Sequence, residues 1–286
     1  MDDLSLNLFY RQIKDRFAQN GIENPALDAR VLLCHALGLS HEAFVLRGPD
    51  ALDAAQMLAA EKLLEQRLAG RPVAKIIGRK EFYGRDFKTT DDTLDPRPDS
   101  ETLIDVVLRF VDEQGKRNTP LHILDLGTGT GCLLLTLLAE LPHARGVAVD
   151  QSVHALAVAQ ENAQALGLVD RTDFVQSDWL QCVTGMFDIV ISNPPYIPLA
   201  DMAGLSIEVR QFDPVAALVG GEDGLDPYRV IIPQLRTVLQ TGGLAAFELG
   251  RGQDAMVADM LQNAEFSNIR TDYDLAGIGR IVSGLC

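Results

Sequence analysis

The sequence has few of the features that mark specialised classes of protein. It contains only four cysteines in 286 residues, scattered and without a C-x-x-C pair, so we expect neither disulfides nor a zinc site. Its five histidines form no H-x-x-x-H pair, and no bound metal is expected. The longest apolar run, CLLLTLL, is too short to cross a bilayer, and the N-terminus lacks the pattern of a signal peptide. These absences predict a soluble, cytoplasmic protein with reduced thiols and no membrane partner.

Basic residues are also scarce. There are 25 Lys and Arg against 40 Asp and Glu, which gives a net charge of −15. Nonspecific binding to nucleic acid needs basic side chains that neutralise phosphates, so direct nucleic-acid binding is not expected. The remaining composition, 47% hydrophobic and 23% charged, is that of a globular protein with a sizeable core.

The hydrophobic pattern divides the chain into three parts. Residues 1–71 have helical periodicity and predict a small helical domain. In residues 72–95, two β-favouring runs, VAKIIG and EFYGRDFKTT, are separated by Gly78, Arg79 and Lys80, which predicts a β-hairpin linker. Residues 96–286 form the third part, in which Asp99 or Ser100 is expected to cap the first helix.

Strand and helix patterns alternate in this third part. Four buried strands are predicted, followed by a helix over 227–239, a strand, a helix over 252–263 and two last strands near 267–273 and 278–283. The first four predicted strands are HILDLG, GVAVD, TDFVQSD and FDIVISN. Alternation with nearly continuous apolar strands predicts an α/β fold, a parallel sheet covered by helices on both faces.

A glycine-rich turn follows the first of these strands. Gly127 to Gly131 read GTGTG and lead into a helix, and Asp125 stands two residues before the first glycine. Glycines let the backbone approach a ligand closely, and the start of a helix offers free N–H groups. The spacing differs from the dinucleotide pattern G-x-G-x-x-G. It is that of the D-x-G-x-G-x-G turn, which receives the amino-acid end of S-adenosylmethionine.

Acidic residues end the next two strands. Asp150 is placed to accept hydrogen bonds from a ribose diol, because Ser152 suits the alternative role of helix cap. Asp178 and Trp179 end the third strand and are candidates for the amino group and the ring face of an adenine, although a single Trp is equally often a core residue.

The most specific feature is Asn193-Pro194-Pro195-Tyr196, which ends the fourth strand. Two prolines cannot continue a parallel ladder, so they fix a rigid, extended corner. The Asn193 side-chain oxygen and the Pro194 carbonyl can each accept one N–H of a planar NH2 group, and Tyr196 can stack on that group. This arrangement predicts methyl transfer to a planar nitrogen.

Together these motifs resemble class I S-adenosylmethionine-dependent methyltransferases, and the rest of the chain is similar to the HemK/PrmC family. The segments that carry this closer resemblance are PVAKIIGRKEFYGRDF, DPRPDSETLID, LDLGTGTGCLLL, FDIVISNPPYIP, EVRQFDPVAALVGGEDGLDPYR and DLAGIGRIV. Members of the family are protein-(glutamine-N(5)) methyltransferases that modify the Gly-Gly-Gln glutamine of peptide chain release factors. The resemblance implies a helical substrate-recognition domain, a hairpin linker and a Rossmann-like class I methyltransferase catalytic domain.

The resemblance also implies roles for individual residues. Asn193, Pro194 and Tyr196 would be catalytic and, with Pro195, would bind the target glutamine. The residues implied for binding S-adenosylmethionine are Gly127, Thr128, Gly129, Thr130, Gly131, Asp150, Trp179 and Asn193. One departure is Asp95, which precedes PRP where the family commonly has an apolar residue, and it leaves the roles of Arg97 and Glu101 open.

Three other functions fit part of this pattern. A nucleic-acid amino methyltransferase shares NPPY, but it would need a basic groove, which the charge disfavours. A nucleotide-binding regulator would need only the glycine turn, and a nicotinamide oxidoreductase would need a different glycine spacing.

Overall fold

The computed structural model describes residues 4–274 and 276–286. The chain divides into two compact units, one ending at Gly78 and the other spanning Arg79–Cys286. Among the described residues, none of the helices is both long enough and apolar enough to span a membrane.

The first unit is helical, as the periodicity predicts. Its described helices are α1 Leu6–Gln19, α2 Pro25–Leu37, α3 His41–Leu46, α4 Ala54–Leu68 and α5 Val73–Ile77. Side-chain caps begin three of them: Ser5 caps α1, Ser40 caps α3, and Asp53 forms a capping box with Gln56 on α4. Apolar residues of these helices, including Phe17, form one core.

The prediction of a strand at VAKIIG is wrong, because this run forms α5. Its β-branched residues favour a strand locally, but Gly78 ends the segment in the left-handed conformation, with φ of 73°, as helix C-caps often do. Val73, Ile76 and Ile77 pack against the core of the helical unit. Packing of an apolar face therefore overrides the local preference.

The β-hairpin is formed by the second run together with Arg79 and Lys80, which were predicted to belong to the turn. Strands β1 Arg79–Phe82 and β2 Arg85–Lys88 pair antiparallel, and the turn is Tyr83-Gly84, not Gly78-Arg79-Lys80. Both turn residues have positive φ, 50° and 73°, which matches the twist of a two-residue hairpin. The Tyr83 N–H donates to Glu101 Oε1 at 2.9 Å, so Glu101 fastens this turn.

The second unit is built on a seven-stranded sheet in the order β5-β4-β3-β6-β7-β9-β8. Its strands are β3 His122–Leu126, β4 Arg145–Asp150, β5 Thr172–Gln176, β6 Phe187–Ser192, β7 Leu239–Glu248, β8 Ser267–Tyr273 and β9 Gly279–Leu285. The first five strands of that order are parallel, which confirms the predicted α/β sheet. The last strand, β9, departs from the predicted parallel sheet, because it lies between β7 and β8 and runs antiparallel to both. Only residues 274–278 separate β8 from β9, too few for the crossover that a parallel pair needs.

Helices cover both faces of this sheet. They are α6 Glu101–Glu113, α7 Cys132–Glu140, α8 Val153–Ala165, α10 Asp226–Ile231 and α11 Asp254–Asn263. A further short helix, α9 Ile207–Phe212, has no buried residue and lies in the segment between β6 and β7. Along β3, Ile123 belongs to one core and Leu124 to the other, as expected for a strand buried on both faces. The helix predicted over 227–239 is shorter, because α10 gives way to a 3-10 helix at Ile232–Thr237. Pro233 lies in this 3-10 helix and has no N–H to continue the α-helical pattern.

Candidate active site

Four strands deliver polar or glycine residues to one edge of the sheet. Leu126 of β3 is paired with Val149 of β4 and Ser192 of β6, and Ser192 is paired with Phe247 of β7. The next residue of each chain segment is therefore Gly127, Asp150, Asn193 and Glu248, respectively. Because parallel strands end at the same edge, this register places the glycine turn, two carboxylates and the NPPY corner in one row.

A cavity of about 300 Å³ opens at this edge. The predicted site residues that line it are Gly127, Thr128, Gly129, Thr130, Asp150, Trp179, Asn193 and Pro195. Pro194 and Tyr196 line a second cavity of about 290 Å³, together with Glu248. Asn193 and Arg97 border both cavities, whereas Gly131 is not among the lining residues of either. The predicted residues thus separate into two adjoining cavities that meet at Asn193.

The three glycines of the turn have a left-handed backbone. Gly127, Gly129 and Gly131 have φ of 74°, 55° and 79°. A β-carbon on Gly131 would lie only 3.0 Å from Leu135 Cδ1, so this glycine allows α7 to pack closely behind the turn. The role of Gly131 is therefore in the packing of the turn, while the preceding four residues face the cavity.

Asp150 connects the turn to the next strand. Its carboxylate accepts hydrogen bonds from the Gly129 N–H at 3.0 Å and the Ser152 N–H at 2.9 Å. Ser152 itself caps α8 by accepting from the Ala155 N–H. Burial raises the pKa of Asp150, and the backbone donors lower it. A carboxylate has about four lone-pair sites, so Asp150 keeps acceptor capacity toward the cavity.

A second carboxyl group, that of Asp125, forms a hydrogen bond with a residue of the glycine turn. Asp125 is fully buried and its Oδ2 accepts from Thr128 Oγ1 at 2.6 Å. Burial raises the pKa of Asp125 to about 7. The other oxygen, Oδ1, is buried without a partner among the described residues.

Trp179 forms part of the cavity wall and also packs on the core. Its backbone has φ of 48°, uncommon for a residue other than glycine. The indole lies close to Gly127, because a β-carbon there would be 3.5 Å from Trp179 Cζ3. The side chain also packs against the sheet core. Asp178 accepts from Gln181 Nε2 at 2.7 Å and lies beside it in the wall.

The NPPY corner is held by residues that were not predicted to belong to the site. Asn193 Nδ2 donates to Ser100 Oγ at 3.3 Å, and Tyr196 Oη contacts Glu248 Oε1 at 3.4 Å. Gln253 Nε2 donates to the Tyr196 carbonyl at 2.9 Å. The carboxyl of Glu248 is 1% exposed, and burial raises its pKa to about 7.

Glycines crowd the same corner. A β-carbon on Gly220 would lie 2.5 Å from the Pro195 carbonyl oxygen, and one on Gly224 would lie 2.2 Å from that of Tyr196. One on Gly250 would lie 3.0 Å from Tyr196 Cδ2. The GGEDG and ELGRG segments therefore pack directly against the backbone and ring of the corner. A side chain at any of the three glycines would prevent this packing.

The residues around PRP have defined partners. Arg97 Nη2 donates to Asp213 Oδ2 at 2.7 Å, which ties the PRP segment to the chain after α9. Asp95 is buried, lines the first cavity and accepts from Thr89 Oγ1 at 2.5 Å. Ser100 precedes α6 but makes no side-chain cap, so its predicted capping role is wrong: its oxygen accepts from Asn193 instead.

The described residues contain no group of three His, Cys, Asp or Glu side chains that could hold a metal ion. The edge of the sheet thus offers glycines, hydrogen-bond acceptors and an aromatic wall. Such a set suits an organic cofactor with a sugar and a planar ring, and the cavity has the size of a small-molecule site.

Both units of the chain match known protein families. Residues 9–78 match the PrmC N-terminal domain, and residues 100–204 match the methyltransferase small domain. The release factor glutamine methyltransferase of Rhodospirillum rubrum is 44% identical over 257 residues, covering 90% of this chain and 78% of the relative. That of Bradyrhizobium diazoefficiens is 43% identical over 274 residues, covering 96% and 92%.

The chain belongs to the release factor glutamine methyltransferase family. The fold also resembles that of the hMettl16 catalytic domain, solved in complex with the MAT2A 3'UTR hairpin 6. The TM-score is 0.57 at 17% identity, with 80% of this chain and 81% of the other covered. This likeness shows the Rossmann-like methyltransferase fold, while family membership rests on the sequence relatives.

Three residues that contact the NPPY corner were not predicted as site residues. Glu248 is the last residue of the buried strand β7, at the same sheet edge as Asp150, and this position could have marked it as a site residue. Gln253 and Ser100 carried no comparable signal, because their contacts with the corner join residues 57 and 93 positions apart.

Proposed function

We propose that this protein transfers a methyl group from S-adenosylmethionine to the side-chain amide nitrogen of the glutamine in the Gly-Gly-Gln motif of peptide chain release factors. The observation that carries the proposal is the position of Asn193 on the border of two adjoining cavities. One cavity has the glycine turn and Asp150, and the other has Pro194 and Tyr196. A group bound in one cavity can therefore react with a group bound in the other at Asn193.

The first cavity fits the donor. The positive-φ glycines leave room for close approach of the amino-acid end, and Asp150 offers acceptor sites for the ribose hydroxyls. Trp179 provides an apolar face for the adenine ring. When bound, S-adenosylmethionine supplies a methyl group on a positively charged sulfur, which a nitrogen can attack in line.

The second cavity fits the target amide. Asn193 Oδ1 and the Pro194 carbonyl accept no hydrogen bond from any described residue. We assign them to the two N–H groups of the glutamine, whose nitrogen they hold toward the methyl group. Tyr196 completes the wall of this pocket, while Pro195 lines the first cavity.

The chain contributes mainly positioning. As the N–C bond forms and the C–S bond breaks, the amide nitrogen becomes cationic, and the two acceptor oxygens stabilise its N–H groups. The methylated nitrogen then loses its extra proton readily, because a protonated amide is very acidic. No strong base is needed for this loss.

A protein substrate agrees with the relatives and with the acidic charge of the chain. The nucleic-acid amino methyltransferase considered from NPPY alone is disfavoured, because relatives of about 40% identity over most of the chain carry the release factor name. We further propose that the enzyme acts in the cytoplasm, which suits its unpaired cysteines, and that it makes no direct contact with nucleic acid.

The proposal is tested by mass spectrometry of a release factor incubated with the enzyme and donor. We expect a gain of one methyl group on the Gly-Gly-Gln glutamine and none on a factor in which that glutamine is replaced. Asn193→Ala should lower the single-turnover rate by a factor on the order of 10²–10³, as loss of one preorganised polar group does elsewhere. Asn193→Asp should also be impaired, because its charge stabilises the sulfonium ground state.

Equal methylation of the glutamine-replaced factor would refute the assigned substrate. A near-wild-type rate for Asn193→Ala would refute the assigned mechanism.

A further inference from the structure

Ser100 occupies the N-cap position of α6 without acting as a cap. Serine at this position usually accepts a hydrogen bond from a backbone N–H of the first turn, but the Ser100 side chain makes no such bond. The residue is 2% exposed and its Oγ accepts from Asn193 Nδ2 at 3.3 Å. A buried hydroxyl therefore serves the NPPY corner and not the helix.

This contact bears on a property that Asn193 cannot fix by itself. A carboxamide has one end that donates and one end that accepts, and the two ends have almost the same shape. If the amide turned by 180°, Nδ2 would face the NH2 group of the target, and donor would meet donor. The neighbours of Asn193 must therefore choose which end faces the substrate.

A serine hydroxyl can both donate and accept, and in this structure the Ser100 oxygen accepts from Asn193 Nδ2 at 3.3 Å. Asn193 Oδ1 accepts no hydrogen bond from any described residue. Ser100 therefore engages the donor end of the amide and leaves the acceptor end for the substrate.

We propose that Ser100 is a positioning residue that holds the Asn193 amide with Oδ1 toward the target nitrogen. This inference rests on the proposed function, in which Asn193 Oδ1 accepts an N–H of the glutamine. It assigns a task to the PRP segment, which joins the hairpin to α6 and reaches the catalytic corner from a part of the chain 93 residues away.

The main test compares two isosteric variants. Ser100→Thr keeps the hydroxyl, and Ser100→Val has the same shape without it. We expect single-turnover methylation of a release factor at close to the wild-type rate for Thr and about 2- to 13-fold slower for Val, the range that corresponds to one neutral hydrogen bond. Ser100→Ala should be slowed like Val. Donor affinity by calorimetry should stay within a factor of two for all three.

A double-mutant cycle separates positioning from general destabilisation. In an Asn193→Ala background there is no amide to orient, so adding Ser100→Val or Ser100→Ala should change the remaining rate by less than about 1.5-fold. A merely structural role would slow both backgrounds equally. If Ser100→Ala fails to fold, the Thr and Val pair carries the same comparison, because both are β-branched residues of equal size.

The inference is overturned if Val and Thr have the same rate, or if the loss at Ser100 is as large without Asn193 as with it. The proposed function fails in a different way. If the wild-type enzyme does not methylate the Gly-Gly-Gln glutamine, or if Asn193→Ala has no effect on the rate, the proposed function itself is refuted. Both results are obtained without any variant of Ser100.

Discussion

At the scale of single residues, Asp150 has two tasks that a substitution would remove together. It accepts from the Gly129 N–H and thereby holds the glycine turn, and it faces the cavity assigned to the donor. Asp150→Ala should weaken binding of S-adenosylmethionine by ~1.5–3 kcal/mol, a factor of roughly 10 to 150. Asp150→Asn keeps one acceptor oxygen, so its affinity for S-adenosylmethionine should lie between those of the wild type and Asp150→Ala. Calorimetry that finds equal affinities in all three proteins would remove Asp150 from the donor site.

Glu248 makes stability depend on pH. Burial raises its pKa from 4.5 to about 7, while Ser100, Arg280 and Tyr196 lower it and Asp99 raises it. Between these pH values the folded protein keeps a proton that the unfolded chain has lost. The stability associated with this proton is complete below about pH 4.5 and disappears as the pH rises through 7.

Glu248→Gln should therefore be less sensitive to alkaline pH. Between pH 5 and pH 8 its free energy of unfolding should fall by about 3 kcal/mol less than that of the wild type, because glutamine does not titrate. Denaturant unfolding at several pH values measures this difference. Parallel pH curves for the two proteins would show that Glu248 does not titrate in this range in the folded state.

At the scale of secondary-structure elements, the segment between β6 and β7 is fitted to the NPPY corner. Gly224 has φ of 79° and no space for a β-carbon beside the Tyr196 carbonyl. Gly242 has a similar φ of 77° but nothing within 4 Å, so it is a matched control for the backbone strain alone. Both alanine variants should lose roughly 1–2 kcal/mol of stability from the left-handed backbone.

Gly224→Ala should lose roughly 1–3 kcal/mol more through the close contact, and its single-turnover rate should fall at least about tenfold because Tyr196 is displaced. Gly242→Ala should keep its rate. Denaturant melts and rapid-quench methylation of both variants check this. Equal rates in the two variants would mean that the corner tolerates the shift.

Much of this element arrangement follows from local sequence. The glycine turn, Asp150 and NPPY are found because each is chemically distinctive and stands at the end of an apolar strand. The run at 73–77 is misassigned because its β-branched residues favour a strand, while helix packing decides its conformation. The contacts of Gln253 and Ser100 join distant positions, and only the folded chain brings them to Tyr196 and Asn193.

At the scale of the whole molecule, each unit has a core of its own. The apolar cluster of the helical unit is confined to residues before Gly78, and the two clusters of the sheet unit lie after Arg79. The donor cavity is lined only by residues of the sheet unit. A fragment spanning 79–286 should therefore fold and bind S-adenosylmethionine about as tightly as the full chain.

We expect the same fragment to methylate a whole release factor much more slowly, because the helical unit has no evident chemistry of its own and matches the PrmC N-terminal domain. Calorimetry with the donor and steady-state kinetics with the release factor test the two halves of this expectation. A fragment that turns over the factor as fast as the full chain would show that the helical unit does not recognise the substrate.

The close fit of Gly220, Gly224 and Gly250 around the corner limits how freely NPPY can be transplanted. A designer who grafts these four residues onto the fourth strand of another Rossmann-like sheet would copy the acceptor groups but not their surroundings. Any side chain at the three glycine positions would meet the Pro195 or Tyr196 backbone or the tyrosine ring. A working graft would have to include the glycine-containing loops as well. The smallest part of the protein that can be transferred is therefore the NPPY corner together with the loops that enclose it.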